Sequence, residues 1–163
     1  MIPTTYACIR GRGIGKLYTD LKKVLRNDSE GTKYCLKMDI HHFYPSINHK
    51  KLEKIIRKKL KDPLFLELLD EIIESADGVP IGNYLSQFFA NLYLTYFDHW
   101  IKETLHVKYY FRYCDDMVIL CNSKEELAEL RVKIQDYLRN ELDLESISES
   151  YQPAVLLWLA ECS

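Results

Sequence analysis

The chain has 163 residues, of which 47% are hydrophobic and 28% are charged, a composition that excludes intrinsic disorder and suits one globular domain. No apolar run reaches the roughly 18 residues that span a bilayer, and no signal peptide follows Met1, so we expect a cytoplasmic protein without a membrane partner. The five cysteines form no C-x-x-C pair, which predicts reduced thiols rather than a disulfide framework or a zinc site.

The net charge of -2 conceals an uneven distribution along the chain. Residues 1–61 carry 15 Lys and Arg against 5 Asp and Glu, whereas the remainder carries 7 against 19. The basic part could face a polyanion such as nucleic acid, while the acidic part stays solvated or binds metal. The alternative is that both charge runs are ordinary solvated faces.

The first half of the chain contains a basic loop followed by a strand. Residues 6–16 combine three glycines with Arg10 and Arg12, a pattern that predicts a mobile basic loop. Residues 32–40 alternate between two faces, with Leu36, Met38 and Ile40 on the apolar one. This alternation predicts a strand that ends at Asp39.

Helical periodicity dominates residues 52–101. Apolar residues recur from Leu52 to Leu60 and predict a helix closed by Pro63, and a second helix is expected over 64–74. Residues 78–83 are predicted as a loop. From 85 to 101 the apolar period is unbroken, which predicts one long helix packed by its aromatic side chains.

The segment 107–121 has the pattern of a β-hairpin, with two β-rich runs around the acidic tip Cys114–Asp116. Ser123 and Glu126 then form a capping box that opens another helix. The expected fold class is α+β, with a small antiparallel sheet built from the strand at 32–40 and the hairpin, backed by the helix at 85–101.

Three carboxylates are the strongest candidates for chemistry. An Asp-Asp pair in a turn is weak support alone, because turns favour aspartate for their own hydrogen bonds. Asp39 adds a third carboxylate from a separate strand, and two neighbouring divalent ions need several hard oxygen ligands from different elements. If the two strands are neighbours, Asp39, Asp115 and Asp116 meet that need.

Several motifs resemble those of reverse transcriptases. YCDD at 113–116 resembles the Y-x-D-D signature of that family, and DIHHFYPSI at 39–47 resembles its first palm motif. GVPIGNYLSQFFANLYL at 78–94 is similar to the second palm motif, and YACIRGRG at 6–13 to the preceding fingers motif. The resemblance implies a polymerase palm, an RNA template, a DNA or RNA primer, dNTP substrates and two Mg²⁺ ions, with Mn²⁺ as an alternative.

The resemblance also implies roles for individual residues. Asp39, Asp115 and Asp116 would be the catalytic metal ligands, with the carbonyl of Ile40 as a further ligand. Tyr44 matches the bulky position that excludes a ribose 2′-hydroxyl. Arg10 and Arg12 would bind the triphosphate, or else they are solvated loop residues. The remaining substrate-binding positions, around the nascent base pair, are Ile81, Gly82 and Gln87.

The form I-G-x-x-x-S-Q, read from Ile81 to Gln87, resembles reverse transcriptases of diversity-generating retroelements. That resemblance implies error-prone copying and a retroelement accessory protein as a further partner. Group II intron, retron and phage-defence reverse transcriptases are the alternatives, together with a non-catalytic nucleic-acid-binding remnant.

The motifs divide the chain into a partial fingers segment (1–31), a palm catalytic domain (32–145) and an atypical C-terminal tail (146–163). The expected thumb is absent from this pattern, which predicts a truncated or otherwise incomplete polymerase.

Overall fold

The computed structural model describes residues 2–80 and 84–153, and of residues 84 and 147–153 it describes the backbone alone. The elements along the chain are α1 (Ile14–Asn27), β1 (Tyr34–Ile40), α2 (Phe43–Ser46), α3 (His49–Lys59), α4 (Pro63–Glu74), α5 (Tyr84–Tyr93), α6 (Thr95–His99), a π-helical turn (Trp100–Thr104), β2 (Tyr109–Tyr113), β3 (Asp116–Cys121), α7 (Lys124–Leu142) and β4 (Ser146–Pro153).

The strands form one antiparallel sheet in the order β2-β3-β1-β4. The predicted strand and hairpin are therefore neighbours, and the α+β class with a small antiparallel sheet is confirmed. The fourth strand, β4, lies in the segment 146–163, which was predicted only as an atypical tail. β4 pairs along β1, where Asp39 lies opposite Ile147.

Helices cover both faces of the sheet. The alternation predicted for β1 places Leu36, Met38 and Ile40 in the main core with α3 to α7. Cys35 faces the other way into a smaller cluster, where it packs with Leu21 of α1. Burying alternate residues on opposite faces fixes the register of β1, because a slip of one residue would exchange the two sets.

The N-terminal segment differs from the predicted basic loop at 6–16. Residues up to Gly13 form turns, but α1 begins at Ile14, so the end of the predicted loop is helical. The start of this helix was not predicted, because alternate glycines are typical of a loop; in the structure Gly13 is the N-cap of α1 and Gly15 lies in its first turn. The hydroxyl of Tyr6 donates to Asp20 of α1 at 2.9 Å, which joins the turns to the helix.

The predicted unbroken helix at 85–101 is wrong in detail. It is divided into α5, α6 and a final π-helical turn, with an interruption at Leu94. The hydroxyl of Thr95 donates to the Asn91 carbonyl at 3.0 Å, a back-bond that competes with the helical ladder and bends helices. The two earlier helices and the helix opened by Ser123 are confirmed as α3, α4 and α7.

Among residues 2–80 and 84–153, no helix is both long and apolar enough to cross a membrane.

The structure describes residues 78–80 of the predicted loop at 78–83. Within this part, Gly78 packs tightly against the backbone of α2. Gly78 has φ +70, and the Val79 amide donates to the Tyr44 carbonyl at 2.9 Å.

Gly78 generates the first prediction. A Cβ at this position would lie 2.2 Å from the Tyr44 carbonyl oxygen, in a backbone conformation that L side chains rarely adopt. Gly78→Ala should therefore lower the free energy of unfolding by about 2–4 kcal/mol, as measured by urea denaturation. The control is Gly15→Ala in α1, where no atom lies within 4 Å of the new methyl group. That change should raise the stability by up to about 1 kcal/mol, and equal effects of the two substitutions would contradict the prediction.

Candidate active site

The three predicted carboxylates lie at one end of the sheet. Met38 pairs with Met117, so Asp39 continues β1 beside the start of β3, where Asp116 lies opposite Tyr113. Asp115 occupies the two-residue turn between β2 and β3. The side chains of Asp39 and Asp115 are partly buried and that of Asp116 is exposed. The register of β1 with β3 therefore brings together the residues that the sequence analysis selected from different motifs.

The negative charges of the neighbouring carboxylates act on Asp115. Burial raises the pKa of Asp115, and the negative charges of Asp39 and Asp116 raise it further. Its own backbone amide and the cation of Arg112 act in the opposite direction. A site that disfavours its own negative charge in this way is one that a bound cation would stabilise.

Within the described ranges, no three His, Cys, Asp or Glu side chains approach closely enough to form a metal centre by themselves. The donor set nevertheless suits a hard divalent cation, because carboxylate and carbonyl oxygens are its preferred ligands. The His41 amide donates to the Glu145 carbonyl of the β4 side at 2.8 Å. Because backbone groups alternate along an antiparallel strand, the Ile40 carbonyl is directed to the other side, toward β3.

Tyr44 lies beside the turn between β2 and β3. It belongs to the short helix α2, which follows β1 after His42 in a left-handed conformation of φ 44. Burial raises the pKa of the Tyr44 phenol, and the Cys114 thiol and the Asp115 carboxylate raise it further. These interactions bring the predicted sugar-contacting residue next to a predicted metal ligand.

The remaining predicted residues lie in different surroundings. Gln87 is exposed on α5 and accepts a hydrogen bond from the thiol of Cys8. Arg10 is exposed in the N-terminal turns. Arg12 is partly buried and donates to the carbonyls of Ile2 at 2.8 Å and Thr5 at 3.2 Å, so its guanidinium braces the turns. Ile81 and Gly82 lie outside the described residues.

A buried polar network behind the turn was not predicted. Arg112 of β2 and Asp98 of α6 are both fully buried and form a two-pronged ion pair, with Nε–Oδ1 at 2.8 Å and Nη2–Oδ2 at 2.7 Å. Tyr110 and Thr5 donate to the same carboxylate at 2.7 and 3.2 Å. The signal in the sequence was a charged residue inside each of two apolar runs, YYFRY and LTYFDHWI, which is costly unless the charges pair.

The comparisons with known proteins add the family. Residues 3–145 match the family model described as "Reverse transcriptase (RNA-dependent DNA polymerase)". The chain belongs to the reverse transcriptase family. Its resemblance at the palm motifs is therefore confirmed at the level of the family.

Two individual proteins are similar to this reverse transcriptase-family chain. Protein YkfC of Escherichia coli (strain K12) is 24% identical over 82 residues, which cover 44% of this chain and 22% of YkfC. The solved structure of apo telomerase from Candida tropicalis, truncated from its C-terminal domain, superposes with a TM-score of 0.66 at 15% identity. That match covers 91% of this chain and 36% of the telomerase chain, so this chain spans about a third or less of either protein. The telomerase likeness supports the fold.

The electrostatics of the site generate the second prediction. Because the pKa of Asp115 is raised in the folded state, the ionised carboxylate lowers the free energy of unfolding. This loss of stability is fully present at pH values above the folded-state pKa. The penalty disappears as the pH falls toward and below the ordinary value of 3.8. Asp115→Asn should therefore be more stable than the parent at pH 7, by up to about 1 kcal/mol at this half-exposed site, with the gain shrinking toward pH 4.

Urea denaturation across this pH range measures the effect. Asp136→Asn, an exposed position on α7, is the matched control and should show no such pH-dependent gain. A gain for Asp115→Asn that stayed constant or grew with acidification would contradict the clustering of carboxylates.

Proposed function

We propose that the protein is an RNA-directed DNA polymerase that transfers nucleotides with two divalent metal ions, Mg²⁺ or Mn²⁺, held by Asp39, Asp115 and Asp116. The observation that supports this most strongly is the β1–β3 register, which gathers acidic residues from two reverse transcriptase motifs at one end of the sheet. The raised pKa of Asp115 is the electrostatic counterpart of that gathering, since it marks a place where a cation is favoured.

The proposed mechanism assigns separate tasks to the chain's own residues. Asp39 and Asp115 would hold both ions, Asp116 would assist from its exposed position, and the Ile40 carbonyl would be a further ligand. Bound divalent ions supply activation of the primer 3′-hydroxyl and neutralisation of the charge that develops on the triphosphate. By holding those ions the carboxylates would position the reacting groups, and positioning together with charge neutralisation is the main source of catalysis in phosphoryl transfer.

Substrate selection is assigned to residues around the turn. Tyr44, whose phenol lies beside Cys114 and Asp115, stacks under the sugar and excludes a 2′-hydroxyl, so that the product is DNA. Arg10, exposed in the N-terminal turns, binds triphosphate oxygens, and Arg12 contributes by bracing those turns. Gln87, Ile81 and Gly82 border the nascent base pair.

Binding of template and primer is supported by the basic front of the chain. Helix α3 exposes Lys50, Lys54, Lys58 and Lys59 to solvent, and exposed cations of this kind contact phosphates. An RNA template paired to a DNA or RNA primer is the proposed polyanion.

We further infer that the enzyme is the error-prone polymerase of a diversity-generating retroelement, working with an accessory protein in the cytoplasm. The form of the motif at Ile81 to Gln87 supports this choice over group II intron, retron or phage-defence enzymes. A residue that checks the incoming base by shape alone imposes a smaller penalty on wrong pairs than one that also hydrogen-bonds.

The third prediction concerns the chemistry. Asp115→Asn should abolish Mg²⁺-dependent extension of a primer on an RNA template, because the loss of one anionic ligand weakens both ions. Extension of a labelled primer is the readout, with circular dichroism to verify the fold. Asp136→Asn is the control that changes charge equally at a distance from the turn.

Undiminished extension by a folded Asp115→Asn protein would refute the metal assignment. No extension by the parent protein, together with retained binding of a template–primer duplex, would favour the non-catalytic nucleic-acid-binding remnant. The same assay with ribonucleoside triphosphates in place of deoxyribonucleoside triphosphates tests whether the protein excludes the 2′-hydroxyl, the role proposed for Tyr44.

The fourth prediction concerns fidelity. Most group II intron relatives carry Q-G where this chain has Ile81 and Gly82. Ile81→Gln introduces that amide beside the nascent base pair and should lower misincorporation by roughly tenfold to a hundredfold, which corresponds to about 1–3 kcal/mol for one hydrogen bond. Sequencing of cDNA made by both versions measures the change, which should be largest opposite template adenines. Identical error spectra would place any infidelity in other residues and remove the support for the retroelement assignment.

A further inference from the structure

The buried network behind the turn has one branch that reaches the site itself. Besides its ion pair with Asp98, Arg112 donates from Nη1 to the Cys114 carbonyl at 2.6 Å and to the Asn91 side-chain oxygen at 3.0 Å. The Cys114 carbonyl belongs to the peptide group that joins Cys114 to Asp115. A bond to this oxygen therefore restrains the orientation of the peptide that carries a proposed metal ligand.

The turn needs such a restraint. Cys114 has φ 53, in the left-handed region where a residue with a Cβ is strained by roughly 1–2 kcal/mol. Strained backbone persists only where the surrounding structure over-determines it, and such positions cluster at functional sites. The Arg112–carbonyl bond is a contact from the fold's interior to this strained position.

Asp98 and Asn91 hold the guanidinium in place. The Asp98 carboxylate accepts from two of its nitrogens, and Asn91, which also donates to the Ala7 carbonyl at 2.8 Å, accepts from the third. The backbone of Arg112 is tied to the N-terminal segment as well, through Thr4 and Tyr6 at 3.0 Å each. Five donors in a planar fork allow one arginine to meet all these acceptors, whereas a lysine ammonium is a point donor on a flexible stem.

Stability alone does not account for this arrangement. Replacing a buried ion pair by apolar residues of similar volume is often neutral or stabilising, because desolvation offsets the Coulomb attraction. An apolar pair would fill the same space but would leave the Cys114 carbonyl without its donor. The difference between these two outcomes separates a packing role from a positioning role.

We propose that Arg112 is a positioning residue for the polymerase reaction: clamped by Asp98, it holds the Cys114 carbonyl and so fixes the Asp115 carboxylate for metal binding. This inference rests on the proposed function for its consequence in catalysis. Its structural part, the ordering of the turn, is independent of activity.

The experiment compares three variants of the full chain with the parent. Arg112→Lys keeps the charge and loses the fork, and the pair Arg112→Met with Asp98→Leu removes both charges so that the core stays filled. Tyr110→Phe is the matched control, because it removes one hydrogen bond from Asp98 without touching the Cys114 carbonyl. Three readouts are used: NMR order parameters of the Asp115 and Asp116 amides without ligands, affinity for Mn²⁺ alone by electron paramagnetic resonance, and kcat and KM for primer extension.

Both Arg112 variants should show lower order in the turn and Mn²⁺ affinity weaker by roughly tenfold to a hundredfold, the usual effect of removing a residue that orients a metal ligand. Their kcat should fall by a similar factor while KM for the template–primer duplex changes less than about twofold. Tyr110→Phe should lower stability yet keep the parent's turn order, Mn²⁺ affinity and kcat.

Parent-like turn order and Mn²⁺ affinity in the folded double variant would overturn the inference, whatever its stability. The same holds if Tyr110→Phe loosens the turn as much as Arg112→Lys does, since the network would then act only as packing. A parent protein that extended no primer would refute the proposed function instead, and the turn order, measured without ligands, would still decide the role of Arg112.

Discussion

The pairing of Met38 with Met117 is the constraint on which the rest of the structure depends. It places Leu36, Met38 and Ile40 in the main core, and it places Asp39 beside the turn that carries Asp115. A shift of one residue would turn the apolar set away from the helices and carry Asp39 to the opposite face. Because packing and site depend on the same register, the hydrophobic core itself enforces both the burial and the approach of like charges that raise the pKa of Asp115.

The features predicted correctly from the sequence depend on short-range patterns. The alternation of β1, the hairpin around Cys114–Asp116 and the N-cap at Ser123 are local signals, and each is present in the structure. The reciprocal half of the predicted capping box is not formed, because the Ser123 amide donates to the Cys121 thiol instead of to Glu126. The resemblance to the family motifs then indicated which aspartates are the candidate metal ligands. Their approach required only that two predicted strands be neighbours in one small sheet.

The features that were missed depend on distant partners. β4 exists through its pairing with β1, more than 100 positions earlier in the chain, and its own sequence has no strong strand pattern. Arg112 and Asp98 become compatible with a core only because they meet there. The break at Leu94, beside the back-bond of Thr95, leaves the apolar period intact, so periodicity alone could not predict it.

The basic and acidic parts of the sequence do not form two separate regions of the folded molecule. Lys51 of the basic part contacts Asp143 of the acidic part at 3.0 Å, and Lys108 contacts Asp28 at 2.6 Å. The second contact is the first cause of the lowered pKa of Asp28, which also accepts from the Tyr109 hydroxyl and the Gly31 amide. A lysine in such an ion pair is partly neutralised by its acidic partner. Binding of a polyanion therefore depends more on the exposed lysines of α3 than on the net charge of residues 1–61.

The position of β1 inside the sheet has a dynamic consequence. β1 is paired on both sides, by β3 and β4, whereas the hairpin strand β2 lies at the sheet edge, where an isolated bridge joins Arg112 to Thr5. Local opening of a native protein begins where fewest backbone hydrogen bonds must break, so the hairpin has a smaller opening free energy than the central strand. Asp39 therefore lies on the strand that opens last, whereas Asp115 lies on the edge hairpin, where the bond from Arg112 to the Cys114 carbonyl opposes local opening. A ligand that bridged the two carboxylates would lower the population of the open hairpin further.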